Sequence, residues 1–230
     1  ELDSTNNLAF KAAKLLQDHS NHRGGALITL VKKIPISAGL GGGSSDAAAT
    51  LIGLNRLWNL GLSSQELMPL AKELGSDVPF FLTGGTAMVQ GRGDQVRQLP
   101  PAKTSWFVIL DPNFQSIDKT AASYSRLVKH QFTSGRLTRK LEARIRRNGD
   151  IPNQLLSNVF DEIYPNIFPD LEFYWEIFRQ VGAMEIHMAG SGPALYAPVA
   201  RREIGNAIRL LLINSHRIKA YLVSGCTPTE

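Results

Sequence analysis

Ile34-Pro35-Ile36-Ser37-Ala38-Gly39-Leu40-Gly41-Gly42-Gly43-Ser44-Ser45-Asp46-Ala47-Ala48-Ala49 is a glycine and serine loop that runs directly into small apolar residues. Glycine lets a backbone turn through left-handed conformations and brings N–H groups to a ligand with no Cβ in the way. Downstream, Ala47, Leu51, Leu54 and Trp58 share one helical face. The spacing predicts a helix beginning at Ser44 or Ser45, both good N-cap residues. The first amides of such a helix lack internal partners and its dipole is positive there. Backbone alone could therefore hold a polyphosphate, with the serine hydroxyls adding bonds to phosphate or to a metal. Leu27, Ile28, Leu30 and Val31 read as a strand entering the loop. Strand, glycine loop and helix in succession favour a phosphate site over the plain alternative, a flexible linker with a capped helix behind it. The loop has no lysine after its last glycine, which excludes a Walker A sequence, and Ser44 stands where a dinucleotide fingerprint needs its third glycine.

Around the loop the chain reads as an irregular alternation of helices and short strands, hence an α+β fold in two lobes. Helices are expected over Asn7–Gln17, after the Ser63/Glu66 capping-box pattern and up to Gly75, around Lys119–Leu127, over Arg136–Arg147, over Phe168–Val181 and over Ala200–Ile213. Strands are expected at Thr86–Val89, Trp106–Leu110, Glu185–Met188, Ala194–Val199 and Ala220–Val223. Pro100-Pro101 is the candidate boundary, giving lobes of residues 1–100 and 101–230.

Length and composition fit this organisation. With 230 residues and 43% hydrophobic content the chain can bury a core, and no stretch is apolar for long enough to suggest a membrane span. The first residues lack the features of a signal peptide, so a cytoplasmic location is the expectation. Cys226, the single cysteine, can form no internal disulfide and is read as inert. The net charge of +5 is compatible with an anionic small-molecule substrate or with nucleic acid and by itself selects neither. Part of that charge lies in Arg136–Arg147, where Leu137, Leu141 and Ile145 recur every four residues; this is an amphipathic helix with a solvated basic face. No aromatics interleave there, which argues against nucleic acid as a partner.

Two further places carry candidate chemistry. Asp77, in Gly75-Ser76-Asp77-Val78-Pro79-Phe80-Phe81, sits between a helix stop and an apolar run. A partly desolvated carboxylate there could accept a hydroxyl proton, or it could simply cap the next turn. Ala189-Gly190-Ser191-Gly192-Pro193 offers a second set of amides, either an anion nest or a tight strand connection, with His187 just before it as a structural residue or a phosphate contact. Thr120 and Tyr124 share one face of a helix. The histidines form no metal-binding spacing.

Taken in order, Pro35–Ala49, Gly75–Phe81 and Gly190–Pro193 resemble the three signatures of the GHMP kinase superfamily, with Asn6-Asn7-Leu8 and Lys11-Ala12-Ala13 opening the pattern. The resemblance implies the two-lobed fold of that superfamily, a ribosomal-protein-like ATP lobe and a ferredoxin-like C-terminal lobe. It also implies an ATP-dependent kinase, working with magnesium, that phosphorylates an alcohol group of a small-molecule cytidine diphosphate-linked polyol on the non-mevalonate route to isoprenoids. Pro35, Ile36, Ser37, Ala38, Gly39, Leu40, Gly41, Gly42, Gly43, Ser44 and Ser45 match the family's ATP phosphate loop. Asp77 matches its catalytic aspartate, and Asn7 and Lys32 match positions near the adenine. Thr120, Tyr124, Gly190, Ser191 and Gly192 match the substrate side, with Ala189 where the family often has serine or threonine. A monomer or homodimer is expected, with neither nucleic acid nor membrane as partner.

The family's proline-alanine-lysine-asparagine strand and its glycine-tyrosine-histidine motif do not occur in this sequence. The expectation is of an N-terminally incomplete ATP lobe, starting about sixty residues into the family pattern. Two alternatives follow: a nucleotide-binding protein that is inactive as a kinase for want of that lysine, or another GHMP small-molecule kinase.

Overall fold

Asn7 turns the chain into its first helix by accepting a hydrogen bond from the Ala9 amide at 2.9 Å. This is α1, Leu8–Ser20, and it buries Ala9, Ala12 and Leu16. The computed structural model describes residues 5–103, 106–114 and 123–225. They form two units, one running to Ile36 and from Gly41 to Leu99, the other made of Ser37–Leu40 and the chain from Pro100 onward.

In the first unit α1 is followed by α2, Gly42–Leu57, then α3, Ser64–Leu74, and α4, Val78–Thr83. An antiparallel hairpin of β1, Ala87–Gln90, and β2, Gln95–Gln98, closes the unit. The capping box at α3 forms in full. Glu66 N–H donates to Ser63 Oγ, and Glu66 Oε2 accepts from Ser63 N–H at 2.8 Å. Donation to that carboxylate from Ser63 N–H, and then from Ser63 Oγ at 2.7 Å, holds it below its ordinary pKa. Gly75 follows α3 as its C-cap. Ala12, Leu16, Ala47, Leu51, Leu54, Leu67, Leu70 and Val78 form the core, each large side chain contributing roughly 2 kcal/mol by leaving water.

Two expectations fail in this unit. Leu27–Val31 carries no strand: Leu27 is 96% exposed and Val31 75%, and among the described residues no strand pairs with the segment. Strand propensity is realised only against a neighbour, so an apolar run without one stays irregular. The second failure concerns α2, which begins at Gly42 rather than Ser44 or Ser45, because Gly41 at φ +68° swings the chain into the helix earlier.

The second unit is built on an antiparallel sheet of β3, Trp106–Asp111, β4, His187–Met188, β5, Leu195–Val199, and β6, Lys219–Ser224. The strand order β4-β5-β3-β6 is that of a ferredoxin-like arrangement. Val108 pairs with Ala197 on one side and Leu222 on the other. The helices are α5, Arg136–Arg146, α6, Phe160–Ile167, α7, Leu171–Gln180, and α8, Arg202–His216. Val108, Leu110, Leu171, Phe178, Leu195 and Leu212 are fully buried between sheet and helices. Gly205 lets α8 lie against the sheet, since a Cβ there would sit 2.5 Å from Leu222 Cδ1. On α5 Ile145 is buried and the basic residues face outward.

The helix expected over Phe168–Val181 begins at Leu171. Phe168 instead ends α6, which the sequence pattern did not announce because Pro165 lies inside it. The strand expected from Glu185 shrinks to His187–Met188. Of the helix expected around Lys119–Leu127, residues 123–125 are helical; Thr120 lies outside the described residues, as does Cys226. Among the described residues no helix is long and apolar enough to cross a membrane.

Candidate active site

The glycine-rich loop changes unit twice, its centre Ser37–Leu40 belonging to the second unit and its flanks to the first. In the first unit, Gly41 does two things that a side chain would prevent. It takes a left-handed conformation, and it leaves room for the Phe81 ring, which would lie 2.7 Å from a Cβ. The amides of Gly42, Gly43 and Ser44 then head α2 without partners inside the helix, and the Ser45 amide is the first to bond back, to Gly41 O at 2.9 Å. Gly43 is exposed, so this positive end is open to an anion. Ser45 Oγ is engaged internally, donating to Gly42 O at 2.8 Å. Ser44 is the hydroxyl better placed to meet a ligand.

Lys32 is paired with Asp46 of α2, both side chains being more than four-fifths buried. Its Nζ lies 3.3 Å from the point where a Gly42 Cβ would stand. The cation therefore sits beside the helix N-terminus. Asn7, besides capping α1, lines a cleft of about 580 Å³ with Phe10, Ala26, Ile28 and Trp58, and Lys32 does not line that cleft.

Asp77 stands at the head of α4, exposed, with no hydrogen bond from its side chain to the helix. The expected desolvation is absent, and so is capping by the carboxylate. What is fixed is its backbone. Val78 and Pro79 are buried, Gln98 Nε2 donates to Thr83 O at 3.1 Å, and the hairpin turn brings Gly93 against Ser76. Phe81, one helical turn beyond Asp77, is the ring that packs on Gly41. A free carboxylate on a held backbone is suited to receiving a proton from a bound alcohol.

In the second unit the loop centre meets the other glycine turn. Ala194 N–H donates to Ala38 O at 3.1 Å, and a Cβ on Gly39 would lie 2.1 Å from Ala189 O. Ala38, Ala189 and Ala194 are buried together with Leu40, Ile109 and Tyr196 packed around them. Ala189 thus makes an apolar contact where a hydroxyl was considered. His187 is hydrogen-bonded within the fold: its Nδ1 shares a 2.7 Å hydrogen bond with Asp161 Oδ2. Across the sheet from it, burial and then the Asp161 charge push the Tyr196 phenol up to about 12, so it stays neutral at ordinary pH. Tyr124 is 59% exposed, with its ring edge-on to Phe160.

The sequence reading missed Asn158 and Asp161. Both bond to the strand ahead of the second glycine turn. Their signal was an Asn-x-x-Asp pair spanning the start of an apolar helix, a spacing that marks helix starts in general and says nothing of what the side chains reach.

Among known proteins, the GHMP kinases N terminal domain model matches residues 7–85. A 4-diphosphocytidyl-2-C-methyl-D-erythritol kinase of Dehalococcoides mccartyi is 41% identical over 224 residues, 97% of this chain and 78% of the relative. One from Carboxydothermus hydrogenoformans is 41% identical over 198 residues, 85% of this chain and 68% of its own. A crystal structure of 4-(cytidine 5'-diphospho)-2C-methyl-D-erythritol kinase superposes with a TM-score of 0.81 at 28% identity, covering 97% of this chain and 80% of that one. Homoserine kinase from Cytophaga hutchinsonii shares the fold, with a TM-score of 0.74 at 20% identity over 99% of this chain and 78% of that one.

Proposed function

The chain belongs to the 4-diphosphocytidyl-2-C-methyl-D-erythritol kinases of the GHMP superfamily, and from that premise we propose how its residues carry out the reaction. It is an ATP-dependent small-molecule kinase, and its substrate is the cytidyl-linked methylerythritol alcohol that names the family. ATP supplies the γ-phosphoryl group. The amides of Gly42, Gly43 and Ser44 hold phosphate oxygens, the Ser44 hydroxyl adds a bond, and Lys32, partnered by Asp46, places positive charge beside them. Asp77 takes the proton of the substrate's 2-hydroxyl as its oxygen attacks in line. Among the described residues no group of three or more His, Cys, Asp or Glu could hold a metal. Magnesium takes few protein ligands beside phosphate oxygens and water, and the Ser44 hydroxyl at the head of α2 would be the one at hand. Tyr124 and Thr120 serve the cytidyl end, and Gly190, Ser191 and Gly192 support the loop and the substrate. The enzyme acts in the cytoplasm as a monomer or homodimer.

The observation that carries these roles is the start of α2, where a left-handed glycine leaves three amides without partners inside the helix, Gly43 among them exposed. Coupled ADP release with the cytidyl alcohol, homoserine and mevalonate as acceptors tests the reading. Turnover of the cytidyl alcohol is expected. Turnover of homoserine without it would replace the substrate named above.

A further inference from the structure

Asn158 and Asp161 grip both sides of the chain that enters the second glycine turn. Asn158 Nδ2 donates to Met188 O at 2.9 Å and to Gly190 O at 2.7 Å. Asp161 Oδ1 accepts from the Met188 amide at 2.7 Å while Oδ2 takes the His187 Nδ1 bond. Asn158 is itself fixed, its Oδ1 accepting from the Phe160 amide at 3.1 Å. The carboxylate can only accept, so it keeps the imidazole proton on Nδ1. His187 Nε2 is buried without a hydrogen-bond partner. The ring's described hydrogen bond is thus the one to Asp161, with the Tyr196 ring tilted against it at 5.5 Å.

What these bonds hold is a surface of bare backbone. Gly190 and Gly192 are both left-handed, at φ +56° and +75°, and Gly192 N–H closes the turn on Ala189 O at 2.8 Å. Gly39, at φ +80°, lies against it so closely that a Cβ would be 2.9 Å from Gly192 N and 3.0 Å from Gly192 O. A Cβ on Gly190 would in turn be 2.9 Å from Gly39 O. Where backbones touch directly, no side chain can change rotamer to absorb a shift. Displacement of the turn passes straight to residues 37–40.

We propose that Asn158 and Asp161 are positioning residues for phosphoryl transfer: through the Ala189–Pro193 turn they set the shape of the Ser37–Leu40 segment of the phosphate loop. The inference rests on the kinase reading given above. Neither side chain touches the reacting groups in this scheme, and both act at one remove.

The test uses the full chain with Asn158→Ala, Asp161→Ala and the conservative Asp161→Asn. Asn in place of Asp161 keeps the volume and one acceptor, and its amide can meet the other tautomer of His187, so it should fold. Per folded molecule, the alanine variants are expected to lose about 10- to 100-fold in kcat/KM for ATP, through both kcat and KM, because an ångström of misplacement has that effect. Asp161→Asn should recover all but about threefold. Hydrogen exchange should quicken in peptides covering 187–194 and 37–40 together. Lowered thermal stability with kcat and KM unchanged would overturn the proposal, as would faster exchange at 187–194 with none at 37–40. If the parent chain turns over no alcohol, the kinase reading fails separately. ATP affinity and exchange at 37–40, compared between parent and Asn158→Ala, then still decide the clamp.

Discussion

Asp77 and Asp161 both stand at the start of a short helix, and the fold treats them in opposite ways. Asp77 heads α4 with its backbone pinned by buried Val78 and Pro79 and its carboxylate exposed and unbonded to the helix. Asp161, in the first turn of α6, has both oxygens committed, one to the Met188 amide and one to His187. A carboxylate that must take up a proton cannot also be saturated with donors, since each bond to the charged form makes it a poorer base. A carboxylate that must hold a turn gains from that saturation. The difference separates a group available for chemistry from one that serves shape.

The sharpest way to break this contrast is Asp77→Asn. Loss of a general base is expected to lower kcat by about 10² to 10⁴. Because the side chain makes no bond to its helix, the melting temperature should stay within about 1 °C of the parent. Coupled ADP release and a thermal melt read both numbers. Activity within tenfold of the parent would remove Asp77 from the proton transfer, and a large drop in melting temperature would show that it was structural after all.

Gly39→Ala attacks the other side, where the turn held by Asp161 meets the loop. The substitution puts a Cβ 2.1 Å from Ala189 O at a φ of +80°. A left-handed non-glycine residue costs of order 1–3 kcal/mol, and the clash adds to it, so a loss of about 3 kcal/mol in urea denaturation is expected. Turnover should fall by more than tenfold in the protein that remains folded. Stability lost with turnover retained would mean that residues 37–40 are scaffolding alone.

How much of this could be read in advance depended on range. The capping box at Ser63 and Glu66, the Gly75 stop and the apolar strands Trp106–Asp111 and Leu195–Val199 are local, decided by residues a few positions apart. Leu27–Val31 has the composition of a strand and fails as one because pairing is not a property of the segment. The start of α2 was misplaced because two serines look like caps, whereas a left-handed glycine made the turn. In the site, the glycine-rich segments stood out in the sequence, but the seating of Gly39 on Ala189 and Gly192 did not. Asn158 and Asp161 bond residues 26 to 32 positions away, and nothing in their spacing names those partners.

Asn7 offers a smaller test, because two roles fall on one side chain. It caps α1 through its oxygen and, by the kinase reading, lies near the adenine. Asn7→Ala should lower stability by about 1 kcal/mol, and Asn7→Ser, which keeps an oxygen for the cap, should restore it. The KM for ATP is expected to rise about threefold in both, since serine supplies no amide to a base. A KM that recovers with the cap would leave Asn7 a structural residue, on the Asp161 side of the contrast.

The smallest expected effect lies beside Asp161 itself. Burial, and then the Asp161 charge, raise the Tyr196 phenol from its ordinary 10 to about 12. The folded chain therefore keeps this proton across an interval in which the unfolded chain gives it up. The associated stability is fully present below pH 10 and is lost as pH rises toward 12. Tyr164, raised to about 12 by burial and by Glu172, acts in the same sense, so Tyr196→Phe should make the alkaline fall in stability shallower without abolishing it. Asp161→Asn discriminates further. Burial is the larger cause, so removing the charge should lower the Tyr196 midpoint only slightly, as followed by phenolate absorbance in the folded protein. A midpoint that dropped all the way to 10 would mean that Asp161 holds the surroundings of Tyr196 closed as well as bonding Met188 and His187, and its reach would then extend across β5 rather than ending at the glycine turn.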